Sequence, residues 1–451
     1  MKIFIFKFFT NFILILFIII SISIIFNSLT KIFFENNEHY LFINSLIAII
    51  GLIFLIFLVI CLQKKNETKI NISIFLLTIT LTIYSVETFL HFKNKDLNPR
   101  EIRAKQLQKS YDKRDKINVI EDLRKEGIDA YLKYVPILLS ESNGIRSESG
   151  NVFPLAGISN STTVLLNESG FYPVIETDEH GFNNPKGLYK DDIDILIIGD
   201  SYAEGDGVNS KDNIAAFLRN DGLKVISLGQ NGNGPLIEYA SLREYGKYLK
   251  PKIVLWLYFV NDLGDLKIEL NSSILKNYLS NENFTQNLIN RQEELDLIIK
   301  NYLNTKTISR KKEIENLNNK IPGEIFKLKN IQSLLNIIPE IYIESRGDVP
   351  KKEFEKILSN SKKLTENWGG KMYLVYLPSY FAFASKNENR FYSYILKTAS
   401  ENNIPTIDMY NVFLENLNPL DLFSLQMNSH YNPRGYNLVA QNILERLERE
   451  K

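Results

Sequence analysis

The chain has 451 residues and a formal net charge of +1, with 53 Lys and Arg against 52 Asp and Glu. That balance excludes the basic stripe of a nucleic-acid binder, and the length allows a membrane region plus one or two globular domains. The only cysteine, Cys61, excludes an intramolecular disulfide. No metal-ligand spacing occurs, so no metal and no cofactor is expected.

Three apolar runs open the chain, at about residues 8–26, 40–62 and 70–90, each near the ~20 residues a helix needs to cross a bilayer. They predict a multi-pass membrane region over residues 1–92. A signal peptide would explain the first run alone, but no small-residue cleavage site follows it and two more runs remain. Lys2, Lys7, Lys64, Lys65 and Lys69 outnumber Lys31 in the first loop, which also carries Glu35 and Glu38. By the positive-inside rule this puts the C-terminal bulk outside the cytoplasm, although Lys93, Lys95, Arg100, Arg103 and Lys105 pull the other way. Glu87, near the end of the third run, is either a functional intramembrane acid or an interfacial one.

Residues 93–190 read as a linker and a small accessory region. Asn94 to Asp115 is charged and apolar-poor, a helical stalk or linker, and Ile117 to Tyr134 is weakly amphipathic, its charges forming a solvated face. Thr162–Leu166 and Phe171–Ile175, separated by the turn residues Asn167 to Gly170, predict a β-hairpin. His180, in a Gly- and Asn-rich turn, is expected to be local scaffolding.

From about residue 191 the pattern becomes α/β. Asp194–Ile198 is a short apolar run that suits a strand covered on both faces, and it ends in Gly199, Asp200 and Ser201. Further strands are predicted at Leu223–Leu228, Ile253–Val260, Met372–Leu377 and Thr406–Met409. Helices fall at Ala215–Arg219, Glu238–Leu249 and Pro433–Leu447, the last capped by Asn432. Alternation of this kind implies a five-stranded parallel sheet between helical layers. Residues 264–370 interrupt it with an insertion that is either a lid and substrate-binding subdomain or an oligomerisation element; Phe284, Leu288, Leu295, Ile299 and Tyr302 recur there at helical spacing. Ligand groups in such sheets gather at the carboxyl ends of strands. Ser201, Gly232 and Asn261 each follow one, placing a hydroxyl, a bare backbone corner and an amide on one rim. His430 is the natural base by elimination, since His39 and His91 lie in the apolar region and His180 precedes the sheet.

These residues resemble the SGNH subfamily of GDSL hydrolases over about Asp194 to Leu447. Gly199-Asp200-Ser201-Tyr202 matches the nucleophile block, with Tyr202 in place of the usual Leu; Gly232, Asn261 and His430 match the other three in order. The longer phrases WLYFVNDL and HYNPRGYNLVA look like a bacterial branch with N-terminal membrane helices. The resemblance implies a flavodoxin-like α/β/α domain over residues 191–451, with Ser201 as nucleophile and His430 as base. The N–H groups of Ser201 and Gly232 and the Asn261 amide would form an oxyanion hole. The family's Asp before the histidine is replaced here by Asn428, with Met427 beside it, so Asn428, Asp421 or a backbone carbonyl is left to orient the ring.

The expected activity is an esterase acting on acyl groups of a surface glycan or lipid. O-acyl transfer in polysaccharide modification, with partner proteins of that machinery, and a catalytically inactive glycan-binding subunit stand as alternatives.

Overall fold

The computed structural model describes residues 2–34, 38–94, 98–148, 150–317, 328, 331, 349–385 and 389–450. The described residues fall into two compact units: residues 2–94 with 328 and 331 in one, and residues 98–317, 349–385 and 389–450 in the other.

In the first unit, helices α1 (Lys2–Phe34), α2 (Glu38–Leu62) and α3 (Asn66–Asn94) pack together. Each contains a segment long and apolar enough to cross a membrane: Phe8–Ile32, Asn44–Leu62 and Asn66–Lys93. Leu14 and Leu58 are buried between helices, whereas Ile53, Phe75 and Phe89 are exposed, as expected where lipid replaces water. Small residues allow close approach of α1 and α2. Ser21 Oγ donates to the Gly51 carbonyl at 2.9 Å, and a Cβ on Gly51 would stand 2.9 Å from Ile25.

The second unit begins with helix α4 (Pro99–Gln106). Its cap is Asn98, which accepts from the Arg100 N–H, and Pro99 supplies a preset φ at the first position. Helix α5 (Lys116–Lys125) follows, then strand β1 (Ala130–Leu132) and the hairpin of β2 (Ile145–Ser147) and β3 (Gly150–Val152). Strand β4 (Thr162–Val164) pairs parallel with β1 and antiparallel with β5 (Val174–Glu176). The hairpin foreseen here therefore exists, but its second strand starts later. Leu165–Pro173 is an open loop rather than a tight turn.

The main sheet is five-stranded and wholly parallel, in the order β10 (Thr406–Asp408), β9 (Lys371–Tyr376), β8 (Ile253–Tyr258), β6 (Ile195–Ile198), β7 (Val225–Ser227). Every residue of β6 is buried, which explains the unbroken apolar run where a half-exposed strand would alternate. Its neighbours lie in register on both sides, with Ile195 opposite Val225 and Ile253. The chain passes from β6 to β7 on one side and returns to β8 on the other, so the order reverses at β6. A crevice at the strand ends beside such a reversal is where open α/β sheets bind ligands.

The core runs from this sheet into regions expected to stand apart. Tyr134, Leu139, Phe153 and Leu155, from the predicted accessory region, share a buried cluster with Leu196, Trp256 and Leu374. The insertion stripe joins it too: Leu288, Leu295 and Ile299 are buried, and Phe284 and Tyr302 pack on their edge. Residues 98–190 thus belong to the same compact unit as the sheet, although Val119, Ile120, Ala130 and Val164 form a small buried cluster of their own.

Candidate active site

Strand β6 delivers Ser201 at its carboxyl end. Gly199 makes the corner: a Cβ there would meet Ala203 at 2.9 Å and the Leu257 carbonyl at 3.0 Å, so only glycine lets the turn close. Asp200 caps the single helical turn α6 (Ser201–Glu204), its Oδ1 accepting from Tyr202 N at 2.9 Å. As the first residue of that turn, Ser201 has an N–H without an intrahelical partner.

His430 arrives from the other end of the chain, on the loop before the helix Pro433–Glu448. That loop is closed by a bridge between Phe423 and Tyr431 and by a bond from Ser424 N to the His430 carbonyl. His430 Nε2 lies 2.7 Å from Ser201 Oγ. The imidazole's other nitrogen, Nδ1, lies 2.7 Å from Glu168 Oε2, which also accepts from the His430 backbone N–H at 2.8 Å. Glu168 Oε1 accepts from Arg100 at 3.0 Å. Serine, histidine and glutamate thus form a continuous chain of hydrogen bonds, in which Ser201 is 7% exposed and the His430 side chain 15%.

Neither residue expected to orient the ring does so. Asn428 is exposed, and the ring nitrogen it was to serve is taken by Glu168. Asp421 Oδ1 is occupied by Asn418 and Gln426. Glu168 sits in the loop between β4 and β5, inside the stretch read as a plain turn. Asn167 pins that loop, accepting from Gly170 N at 3.0 Å and donating to the Asp112 carbonyl at 2.9 Å.

Burial alone would lower the affinity of His430 for a proton. The negative charges of Glu168, Asp206 and Asp200, with the Glu168 hydrogen bond, outweigh it and hold the imidazole at about 9. Burial opposes ionisation of Glu168, yet the imidazole and Arg100 keep its carboxyl below the usual range. Beneath the nucleophile, Lys133 is buried and bonds Glu204 and Asp206, each at 2.6 Å. Glu204 in turn accepts from Asn231 N at 2.8 Å, tying the nucleophile's helix to the loop that carries Gly232.

Gly232, at φ +74, and Asn261 follow β7 and β8, the two strands flanking β6, so both stand on the rim of the sheet that carries Ser201. The Asn261 Nδ2 atom lies 2.6 Å from Asp265 Oδ2, while its Oδ1 is buried with no hydrogen-bond partner among the described residues. His180 stands in other company: its Nδ1 is 3.2 Å from Gln292 Oε1 and its ring packs on Tyr189. Among the described residues, no group of three or more His, Cys, Asp or Glu is placed to hold a metal ion.

A hydroxyl, an imidazole and a buried carboxylate in line, at the reversal point of a parallel sheet, have the layout of a serine-nucleophile α/β protein. Solved structures similar to the chain include GDSL-type lipolytic proteins, acylhydrolases and esterases. A lipase/acylhydrolase from Enterococcus faecalis is 11% identical, covering 57% of this chain and 96% of its own, with a TM-score of 0.34. A GDSL-like lipase from Bacteroides thetaiotaomicron is 13% identical, with coverages of 58% and 91% and a TM-score of 0.32. A variant of an acetyl-xylooligosaccharide esterase from Geobacillus is 16% identical, with coverages of 56% and 93% and a TM-score of 0.32. No family model matches the sequence, and no curated protein matches it.

Proposed function

We propose that the chain is a membrane-anchored serine esterase that cleaves acyl esters of a glycan or lipid outside the cytoplasm. The observation that carries this reading is the line Ser201–His430–Glu168, closed by two contacts of 2.7 Å. In the first step Ser201 Oγ adds to the ester carbonyl carbon as its proton passes to His430 Nε2. The C–O bond to the alcohol then breaks, and the imidazolium returns that proton to the leaving oxygen. Water adds to the acyl-serine by the same route in reverse, releasing the acid.

Above the imidazole's titration at about 9, Glu168 fixes the tautomer that presents a bare Nε2 to Ser201, and it offsets the imidazolium charge. The Ser201 and Gly232 N–H groups and the Asn261 amide would meet the oxyanion, each donor contributing about 2.7–4 kcal/mol to the transition state.

Glu168, on the ring nitrogen that an aspartate at position 428 would serve, favours an active site over an inactive scaffold. Transfer to a sugar hydroxyl would use the same acyl-serine, with the sugar replacing water. The three apolar helices and the lysines at positions 2, 7, 64, 65 and 69 favour anchoring with the second unit outside.

The test is labelling of the full-length protein in detergent by a fluorophosphonate, beside hydrolysis of p-nitrophenyl acetate with and without added sugar alcohols. Wild type should label at Ser201 and turn over, and Ser201→Ala should do neither. A folded wild type that neither labels nor exceeds the Ser201→Ala rate sinks the proposal.

A further inference from the structure

The two loops that build the histidine–glutamate pair are far apart in sequence, and one of them is strained. Leu425 and Gln426, in the loop that delivers His430, have φ of +55° and +52°. Consecutive non-glycine residues in the left-handed region persist only where the surroundings over-determine them. Gln426 is held by Asp421 Oδ1, which accepts from its Nε2 at 2.6 Å, and its carbonyl accepts from the Tyr380 hydroxyl at 3.4 Å.

The remaining restraint comes from α4. Arg103 Nε donates to the Leu425 carbonyl at 3.2 Å, and the same guanidinium donates to Gln426 Oε1. One helical turn earlier, Arg100 donates to Glu168 Oε1 at 3.0 Å and to the Asn167 carbonyl at 3.4 Å. Positions i and i+3 share a helix face, so a single eight-residue helix grips the acid loop with one arginine and the base loop with the other. Ala104 is fully buried and seats the helix. A solvated stalk would need none of this.

We propose that Arg100 and Arg103 are positioning residues of the Ser201–His430 site, and that α4 acts as a strap setting the acid and base loops against one another. This rests on the esterase reading above and deepens it. Neither arginine contacts Ser201 or His430; each acts through a loop.

The two should fail differently. Facing His430 are the carboxylates of Glu168, Asp206 and Asp200 and the ring of Tyr202, which packs in turn on Tyr431 and Tyr436, with Lys133 bonded to Asp206 and Arg100 bonded to Glu168. Removing the Arg100 charge leaves Glu168 less compensated, so the imidazole keeps its proton to higher pH. Arg100 is one-third exposed, so screening keeps the shift modest. Arg103 holds a backbone carbonyl and an amide, so its loss should loosen the loop without moving the titration.

The experiment uses the full chain in detergent and compares wild type, Arg100→Met, Arg100→Lys, Arg103→Met and Arg103→Lys. It reads aryl acetate hydrolysis against pH and hydrogen exchange of residues 165–173 and 423–431. Arg100→Met should lower kcat at least tenfold with KM within about twofold, and move the ascending pH limb up by roughly half a unit. Arg100→Lys should return the limb toward wild type. Arg103→Met should lower kcat with the limb in place and speed exchange across 423–431, and Arg103→Lys should recover part of both.

Wild-type kcat, pH limb and exchange in both Met variants would overturn the strap. If a variant does not fold, the corresponding Lys variant carries the comparison. A wild type that fails to label at Ser201 condemns the esterase reading instead, and the exchange data still decide the strap.

Discussion

Glu168 and His430 stand 262 positions apart in the chain and are joined twice through one atom: Oε2 of the glutamate accepts from the imidazole Nδ1 and from the histidine's own backbone N–H. Ring and main chain are therefore referenced to the same point, and the imidazole cannot turn without its loop moving. Glu168 Oε1 is held in turn by Arg100. A carboxylate accepting three hydrogen bonds is preorganised for a cation beside it, which is what the imidazole would become on taking the Ser201 proton in the proposed reaction.

Glu168→Gln should keep the shape and lose the charge. With the wrong tautomer free to form, kcat is expected to fall on the order of 10³–10⁴-fold with KM little changed. The histidine, no longer held at about 9, should titrate lower, so the residual activity rises at a more acid pH than in wild type. Asn428→Ala, on the exposed side of the loop, should stay within about twofold of wild type. A large loss at position 428 and none at 168 would reverse the assignment, and a pH–rate profile of both variants decides it.

Stability should report the same pair. His430 is raised from the ordinary 6.5 to about 9. Its contribution is therefore fully present below pH ~6.5 and is lost as pH rises through 9, a matter of a few kcal/mol at most. Asp200, pushed up by burial to about 6, and Glu204, pushed up by burial to about 7, also lose stability as pH rises, but they have finished titrating by about pH 8. The fall in Tm between pH 8 and 10 should thus be steeper in wild type than in Glu168→Gln.

The elements of the sheet were legible because burial writes itself into composition. Ile195–Ile198 and Ile253–Tyr258 are apolar throughout, since both faces are covered, and Asn432 announces the helix at Pro433 by capping it. Ser201 and His430 were found because their neighbours form blocks. Glu168 was not, because a loop residue has no period, and Asn, Glu, Ser and Gly in a row read first as a turn. The charged stretches misled in the same way. Lys133, Arg100 and Arg103 sit in segments that look solvated, and only tertiary packing turns Lys133 into a buried ion and the two arginines into loop clamps.

Gly170 offers a check on the acid loop that leaves every functional group intact. Its φ is +102°, and an added Cβ would fall 2.3 Å from the Ser110 carbonyl oxygen. Because Asp112 N also donates to the Gly170 carbonyl at 2.7 Å, the loop has no slack on that side. Gly170→Ala should cost a few kcal/mol by strain and displace Glu168 two residues away. Calorimetry should show a lower Tm, and labelling at Ser201 should slow in the protein that remains folded.

Asn261 is the proposed oxyanion donor whose surroundings make the sharpest demand. Its Nδ2 atom faces Asp265 at 2.6 Å while its Oδ1 is buried and, among the described residues, meets no partner. Burial, with the charges of Glu269 and Asp200 nearby, raises the Asp265 carboxyl well above its ordinary range, which favours its protonated form. A protonated carboxyl is itself a donor, and with the amide turned over it would bond the orphaned oxygen and release both amide hydrogens toward an oxyanion. On this account Asp265→Asn, still a donor of similar shape, should retain most of kcat. Asp265→Leu should lose tenfold or more, and Asn261→Ala about 10²–10³-fold. Equal kcat losses in the Asn and Leu variants, at matched Tm, would show that Asp265 is needed as an anion and that the amide stands as drawn.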